Sequence, residues 1–465
     1  ENMILKKIAR HCVDDTSGLF ITLPEDDLAY QDTFVKACLA AGINAEVIDP
    51  EEAKRMEPSV NPSLIGAVKV PDGSVDPFRL CASNVFDAKI HGAKVQVYSE
   101  VIEFIKEQDT IKGVKVLDHH TGIVTDYYAP VTVNAGGIWG HHIAQMAGAN
   151  ISMFPAKGAL LIFAHRVNNV VINRCRKPAN ADILVPGDTV CVIGTTSTRV
   201  PYEECDHLKV TPDEVDLLLT EGAKLAPCLA ETRVLRAYAG VRPLVSADND
   251  PSGRNISRGI VCLDHETRDG IKGFISITGG KLMTYRLMGE MAADAVCKKL
   301  GRDAKCVTAD SPLPGSEPGG IEEISKKIWE VPTMVQKASV GRFGTQAANL
   351  DFDGDVKGSL VCECEEVSVS EVDSAIENLE VNNLVDLRRR TRFGMGTCQG
   401  ELCACRAAGR LAKARKCTAK ARADLKDFMD ERWKGMYPVA WGETLRESAY
   451  TQWVYSEVMG LGEEI

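Results

Sequence analysis

Ile275-Ser276-Ile277-Thr278-Gly279-Gly280 reads as a strand that runs directly into a glycine turn, with a helical pattern following from about Leu282 to Leu300. The same grammar occurs once more upstream. Pro130-Val131-Thr132-Val133-Asn134 is an apolar strand, Ala135-Gly136-Gly137-Ile138-Trp139-Gly140 is its turn, and a helix starts at His141. A strand, a glycine turn and a helix N-terminus present main-chain N–H groups to a ligand, the arrangement that holds dinucleotides in α/β folds. Each turn alone is equally well explained by close helix–strand packing. No G-x-G-x-x-G follows an apolar strand in these 465 residues, so a dinucleotide fingerprint is expected upstream of Glu1.

Around these two turns the chain mixes α and β. Leu19 to Leu23 is a short strand ended by Pro24, and Asp32 to Gly42 has helical periodicity with Gly42 as C-cap. Val95 to Tyr98 and Val101 to Ile105 read as strands. Gly113 to Leu117 and Ile123 to Tyr127 flank a turn at His119-His120-Thr121-Gly122, which predicts a hairpin. Residues 150–275 are short strands and turns with one helix around Asp213 to Ala226. Ser311 to Gly320 is rich in proline and glycine and reads as a linker.

Composition narrows the function classes. The length allows about three domains, and 45% hydrophobic with 26% charged residues is ordinary for a globular chain. A net charge of −11 excludes a nonspecific nucleic-acid binder, which presents a basic face. No apolar run is long enough to span a membrane. The chain opens on Glu1-Asn2-Met3-Ile4-Leu5 inside an amphipathic helical pattern, so an N-terminal segment is expected to be missing.

Sixteen cysteines and the lack of a signal peptide suggest a reducing compartment. Cys12, Cys38, Cys81, Cys228, Cys262 and Cys297 stand singly and are expected to be inert buried thiols. Five more crowd together. Val361-Cys362-Glu363-Cys364 and Thr397-Cys398-Gln399-Gly400-Glu401-Leu402-Cys403 form a C-x-C and a C-x4-C pair, with Cys405 left over. Four thiolates suit zinc or a 2Fe–2S cluster, and the spacing leans toward iron–sulfur because zinc sites usually place two residues within each pair. Arg388, Arg389, Arg390 and Arg392 are candidates to offset the cluster's negative charge. Elsewhere Arg242 and Arg258 sit beside turn residues, and forked guanidinium donors suit a phosphate or carboxylate.

Taken together, these pieces closely resemble the flavin-bearing subunits of bacterial anaerobic glycerol-3-phosphate dehydrogenases. The most specific stretches are Gly18 to Asp27, Val70 to Leu80 and Thr278-Gly279-Gly280-Lys281-Leu282-Met283-Thr284-Tyr285-Arg286. The implied fold is mixed α/β, the FAD-dependent oxidoreductase fold of the D-amino-acid oxidase class, N-terminally incomplete. A small ferredoxin-like 2Fe–2S domain of the bacterioferritin-associated type follows it. The resemblance implies that about eighty N-terminal residues, including the glycine-rich FAD loop, are missing. The expected domains are 1–310 for the flavin, 311–358 for a linker and helical connector, 359–415 for the cluster, and 416–465 for a helical tail.

The same resemblance assigns residues. Gly279, Gly280, Lys281, Leu282 and Met283 match the segment that wraps the flavin ring, and Asn134, Ala135, Gly136 and Trp139 match a second FAD-facing turn. Arg242 matches an arginine beside substrate and flavin, and Arg258 a phosphate-binding one. Cys362, Cys364, Cys398 and Cys403 are the implied cluster ligands. Relatives often carry Ala at the position of Gly136, a mild departure. The implied reaction is quinone-linked oxidation of sn-glycerol 3-phosphate to dihydroxyacetone phosphate, with electrons leaving through the cluster.

Iron–sulfur partner subunits that anchor to the membrane are implied too, placing the chain in the cytoplasm at the inner membrane face. The alternative is another FAD-dependent amine or 2-hydroxy-acid dehydrogenase with the same appended domain. A non-catalytic electron-transfer or iron-handling module is a further one. Trp433, Tyr437, Trp441, Tyr450, Trp453 and Tyr455 in the tail are expected to pack on the chain's own core, with partner docking as the other reading.

Overall fold

The structure, a computed structural model, describes residues 1–245, 259–327, 333–353 and 356–462. Its largest sheet has nine strands among the described residues. Met153–Phe163 is the hub: Val234–Val245 pairs along one side, while Thr198–Arg199 and Cys191–Gly194 share the other. Beyond Cys191–Gly194 come Ile183–Pro186, Val171–Arg174, Gly18–Thr22, Gly66–Val70 and Glu46–Ile48. Only Gly18–Thr22 and Val171–Arg174 run parallel in this sheet.

One face of the sheet is covered by the helix Pro212–Leu225. Thr211 caps it in a reciprocal box with Glu214, and Pro212 occupies the first turn, where a missing N–H costs nothing. Its Val215, Leu218 and Leu225 follow a helical period and pack on Leu19, Ile21, Leu161, Ile172, Leu184 and Ile193. Burial of that stripe against the sheet supplies the domain's main hydrophobic core.

A second sheet carries both glycine turns. Its strands are Thr132–Asn134, Phe274–Gly279 and Ile260–Asp264, with the first two parallel and in register from Thr132 opposite Phe274 to Asn134 opposite Ser276. A third, antiparallel sheet holds Ser99–Glu107, Thr110–Asp118 and Val124–Tyr128, which includes the expected hairpin. Val95 to Tyr98 is not a strand. Tyr98 adopts a left-handed φ of 54° and its hydroxyl donates to Asp386 at 2.8 Å, so tertiary contact bends the chain there. The expected helix after Gln31 spans Tyr30–Ala40, with Gly42 at φ 74° beyond its end.

The stretch 311–320 is no exposed linker. Leu313 and Ser316 are buried, the Leu313 amide donates to the Ile8 carbonyl, and His11 bonds Ser316. The proline and glycine signal was real as a turn, but the turn is packed against the first helix, Asn2–Ile8. The single cysteines also differ from expectation. Cys12 and Cys38 are buried, Cys262 and Cys297 are half-buried, and Cys81 and Cys228 are exposed.

The cluster unit is a two-stranded hairpin, Leu360–Cys362 with Val367–Ser368, and the helices Val369–Asn378, Leu384–Thr391 and Ala404–Arg415. Val361, Val372, Leu387, Phe393 and Leu411 form its core, joined by Phe428 and Tyr455 from the tail. Tyr455 therefore packs inward as expected. Trp433, Tyr437, Trp441, Tyr450 and Trp453 do not, and stand exposed on the tail helices Ala421–Met436 and Gly442–Trp453, on the Tyr437–Val439 turn and, for Trp441, at the N-cap of the second helix. Among the described residues no helix is long and apolar enough to cross a membrane.

Candidate functional site

The two glycine turns lie side by side because the strands that deliver them are parallel neighbours. Asn134 is buried; its Nδ2 donates to the Gly140 carbonyl and to Ser276 Oγ, and its Oδ1 accepts from the Gly136 amide. Ser276 in turn bonds His265 Nε2 at 2.8 Å, and His265 Nδ1 meets Asp269. A buried polar chain thus locks the two strand ends together. Past them, Ala135, Trp139, Lys281, Leu282 and Met283 are exposed and Gly136, Gly279 and Gly280 half-buried. Gly279 has φ 78°, and a Cβ there would lie 2.3 Å from the Gly259 carbonyl oxygen, so only glycine fits this turn.

Arg242 lies on Val234–Val245, opposite Ala156. Its guanidinium donates to Thr195 Oγ1 at 2.5 Å, to the Thr196 carbonyl at 3.3 Å and to the Lys157 carbonyl at 3.4 Å. Gly158 makes that position possible, since a Cβ there would stand 2.5 Å from Arg242 Nη2. Behind it, Lys157 Nζ is paired with Glu214 at 2.8 Å, and Thr196 Oγ1 bonds the same carboxylate. Val241, the residue before Arg242, joins the apolar cluster that includes Ile138 of the upstream glycine turn. The strand that carries Arg242 therefore passes the glycine turns. Arg258 lies outside the described residues.

The four expected cysteine ligands converge. Their sulfurs neighbour one another in the order Cys364, Cys398, Cys403, Cys362. Amide N–H groups of Gly394 and Glu365 point at Cys362, that of Cys398 at Cys364, and those of Gly400 and Leu402 at Cys398. Cys364 and Cys403 beside it, with those amides, pull the Cys398 thiol down, whereas Cys403 is pushed up by Cys362 and Cys398. Cys405 is exposed and outside the group. No group of three or more His, Cys, Asp or Glu side chains among the described residues is arranged to hold a metal ion.

The run of four arginines splits by function. Arg392 reaches Asp76 and Asp188 at 3.0 Å and Glu365 at 2.9 Å, joining the cluster unit to the flavin portion. Arg390 donates to the Leu379 carbonyl. Only Arg388 bonds the cluster loop, with Nη2 donating to Gln399 Oε1 at 3.0 Å. The same loop is held from the other side, where Arg233 donates to the Thr397 carbonyl at 2.9 Å. Lys157, Thr195, Thr196 and Glu214 around Arg242 were not identified from sequence. Glu214 lay in the helix expected around Asp213 to Ala226, and nothing in that pattern marked it as a partner of Lys157.

The residues present fit both groups. At the flavin side, two adjacent turns expose main chain, and Thr278 Oγ1, beside Gly279, is buried without a partner. At the cluster, four thiols neighbour one another and three of them receive main-chain amides, the donor set that iron–sulfur centres use.

Residues 3–286 match the family described as FAD dependent oxidoreductase, and residues 360–411 match the BFD-like [2Fe-2S] binding domain. The chain is 60% identical over 465 residues to one subunit of the anaerobic glycerol-3-phosphate dehydrogenase of Escherichia coli strain K12, covering all of this chain and 86% of that one. It is 59% identical to the same-named subunit of the Haemophilus influenzae enzyme, of which it spans 82%. These shares do not say where the relatives are longer, so the expected loss of about eighty N-terminal residues is not borne out by them.

Among solved structures, the glycerol-3-phosphate dehydrogenase of Bacillus halodurans complexed with FAD superposes with a TM-score of 0.71 at 20% identity. The alignment covers 95% of this chain and 86% of that one, and shows a shared fold. With both parts of the architecture matched and the whole length aligned, the chain belongs to the FAD dependent oxidoreductase family, among these subunits of anaerobic glycerol-3-phosphate dehydrogenase.

Proposed function

We propose that this chain oxidises sn-glycerol 3-phosphate to dihydroxyacetone phosphate, and that Arg242 is its catalytic arginine. The observation that carries this reading is the strand of Arg242, whose Val241 joins the apolar cluster of the upstream glycine turn and whose Arg236 bonds the cluster loop at the other end. When bound, FAD would supply a hydride acceptor for the carbinol carbon and the 2Fe–2S centre a one-electron carrier.

The protein's part is electrostatic and positional. Thr195, the Thr196 carbonyl and the Lys157 carbonyl hold the Arg242 fork, whose charge stabilises the negative charge that builds on the substrate's secondary oxygen as the carbinol is oxidised. A fixed guanidinium does this without reorganising during the reaction, which is where preorganised sites gain rate. Asn134, Ala135, Gly136 and Trp139 would hold the flavin from one turn, and Gly279, Gly280, Lys281, Leu282 and Met283 from the other. Arg258 is the proposed phosphate ligand by resemblance.

Cys362, Cys364, Cys398 and Cys403 would bind the cluster, with electrons passing to partner subunits and membrane quinone. On this reading the chain works at the inner membrane face through those partners. The working domain division is 1–310, 311–358, 359–415 and 416–465.

An optical spectrum of the anaerobically purified protein, before and after adding glycerol 3-phosphate, tests the reading. Bleaching of the flavin band with loss of the iron–sulfur shoulder supports it. A flavin reduced faster by amino acids or 2-hydroxy acids than by glycerol 3-phosphate overturns the substrate assignment.

A further inference from the structure

Two guanidinium groups are buried beside the cysteine cluster with no carboxylate of their own among the described residues. Arg388 and Arg236 are only 8% and 7% exposed. Arg388 comes from the cluster unit, and Arg236 from the sheet strand Val234–Val245. They share one acceptor. Gln399 Oε1 takes Nη2 of Arg388 at 3.0 Å and Nη1 of Arg236 at 3.5 Å. The Gln399 amide is fixed in that orientation because its Nε2 donates to the carbonyls of Met395 and Gly396. Gly435 lies against the other side of Arg236, where a Cβ would stand 2.6 Å from Nη2.

Among the described residues neither arginine forms an ion pair, and Arg388 Nε is buried without a hydrogen-bond partner. Glu431 is the carboxylate that bears on both arginines, and it makes no ion pair with either among the described residues. A guanidinium does not give up its proton inside proteins. Two adjacent buried cations therefore cost free energy unless an anion compensates them. Arg388 reaches the cysteines through Gln399, which sits directly after Cys398.

We infer that Arg388 and Arg236 are the buried counter-charges of the 2Fe–2S centre, and that Arg236 makes the flavin portion's own sheet part of the cluster's electrostatic environment. The inference rests on the reading of Cys362, Cys364, Cys398 and Cys403 as the cluster's ligands. The cluster with its four thiolates is anionic and gains one further negative charge on reduction. Nearby cations therefore stabilise the reduced form more than the oxidised form and raise the potential. Arg236 and Arg242 project from one face of the same strand six residues apart, roughly 20 Å at the rise of an extended chain. One strand thus carries a cluster-tuning arginine at one end and the substrate arginine at the other.

The test is a redox titration of the intact protein, the cluster's reduced state being read by electron paramagnetic resonance, in Arg388→Met, Arg236→Met and Arg388→Lys. Both Met variants are expected to titrate at a more negative potential than the parent, and Arg388→Lys closer to it. Unchanged potentials in both Met variants, at full iron and sulfide content, overturn the inference. If a Met variant fails to hold the cluster, melting of the iron-free proteins decides. A counter-charge predicts that iron-free Arg388→Met melts no lower than the iron-free parent, and a lower melting point overturns it. A parent protein without any cluster signal would instead remove the ligand reading itself.

Discussion

Asn134 Nδ2 donates to Ser276 Oγ at 3.1 Å, across the two parallel strands that end in the glycine turns. Neither residue is exposed to water, and each makes a second bond, Asn134 to the Gly140 carbonyl and Ser276 to His265. The contact holds both turns at one height.

Asn134→Ala removes that tie and leaves the Gly140 carbonyl, the Gly136 amide and Ser276 short of partners. A buried group left unsatisfied costs about 1–3 kcal/mol. The variant is expected to lower flavin content at equal protein concentration, measured as bound FAD per chain after gel filtration. Unaltered FAD content and thermal stability would show that the tie does not organise the site.

Arg242→Met is expected to lower kcat/KM for glycerol 3-phosphate by roughly 10²–10³-fold, the loss seen when one preorganised donor to a developing oxyanion is removed. Arg242→Lys restores the charge but not the fork that bonds Thr195 and two carbonyls together, so it should recover only part of the rate. Flavin reduction followed by stopped flow checks this directly. Equal rates in Met and parent proteins would take Arg242 out of the chemistry.

Cys398→Ser should abolish iron–sulfur absorbance while leaving flavin reduction by substrate, because Cys398 neighbours both Cys364 and Cys403. Cys405→Ser should retain iron and sulfide in full, since Cys405 is exposed and apart from the other four. Iron and acid-labile sulfide assays on both variants give the answer.

Glu214 sets an acid limit on the sheet domain. Burial raises its carboxyl, but bonds from Lys157, the Thr211 amide and Thr196 outweigh burial and hold it below the ordinary 4.5. A carboxyl lowered on folding adds stability that is complete above the unfolded value and is lost as pH falls through the lower folded one. Glu214→Gln should therefore flatten the pH dependence of melting below about pH 4.5. It should also cost stability at neutral pH by leaving Lys157 buried without its counter-charge. Calorimetry across both pH ranges measures the two effects, and an unchanged acid slope would place the limiting carboxylate elsewhere.

Local pattern carried a good part of this protein. The pair of strand–glycine turns and the C-x-C with C-x4-C spacing depend on a few consecutive residues. Period-two alternation and ligand spacing act at that range. The hairpin after Gly113 and the helix near Pro212 were readable for the same reason. Val95 to Tyr98 was misread because Asp386, nearly three hundred residues later, draws the Tyr98 hydroxyl out of strand geometry.

Local spacing singled out the two glycine turns and the four thiols as candidates, and the resemblance to a known family supplied the two kinds of module. The partner of each charge depended on the packed chain. Arg392 and Arg388 stand four residues apart in one basic run. Yet one is spent on Asp76, Asp188 and Glu365 between units, and the other is buried beside the cysteines. Arg236, some 160 residues from Gln399, joins the cluster loop only because the sheet delivers it there. A charge's environment comes from whatever is buried against it, and burial is decided by contacts between segments distant in the chain.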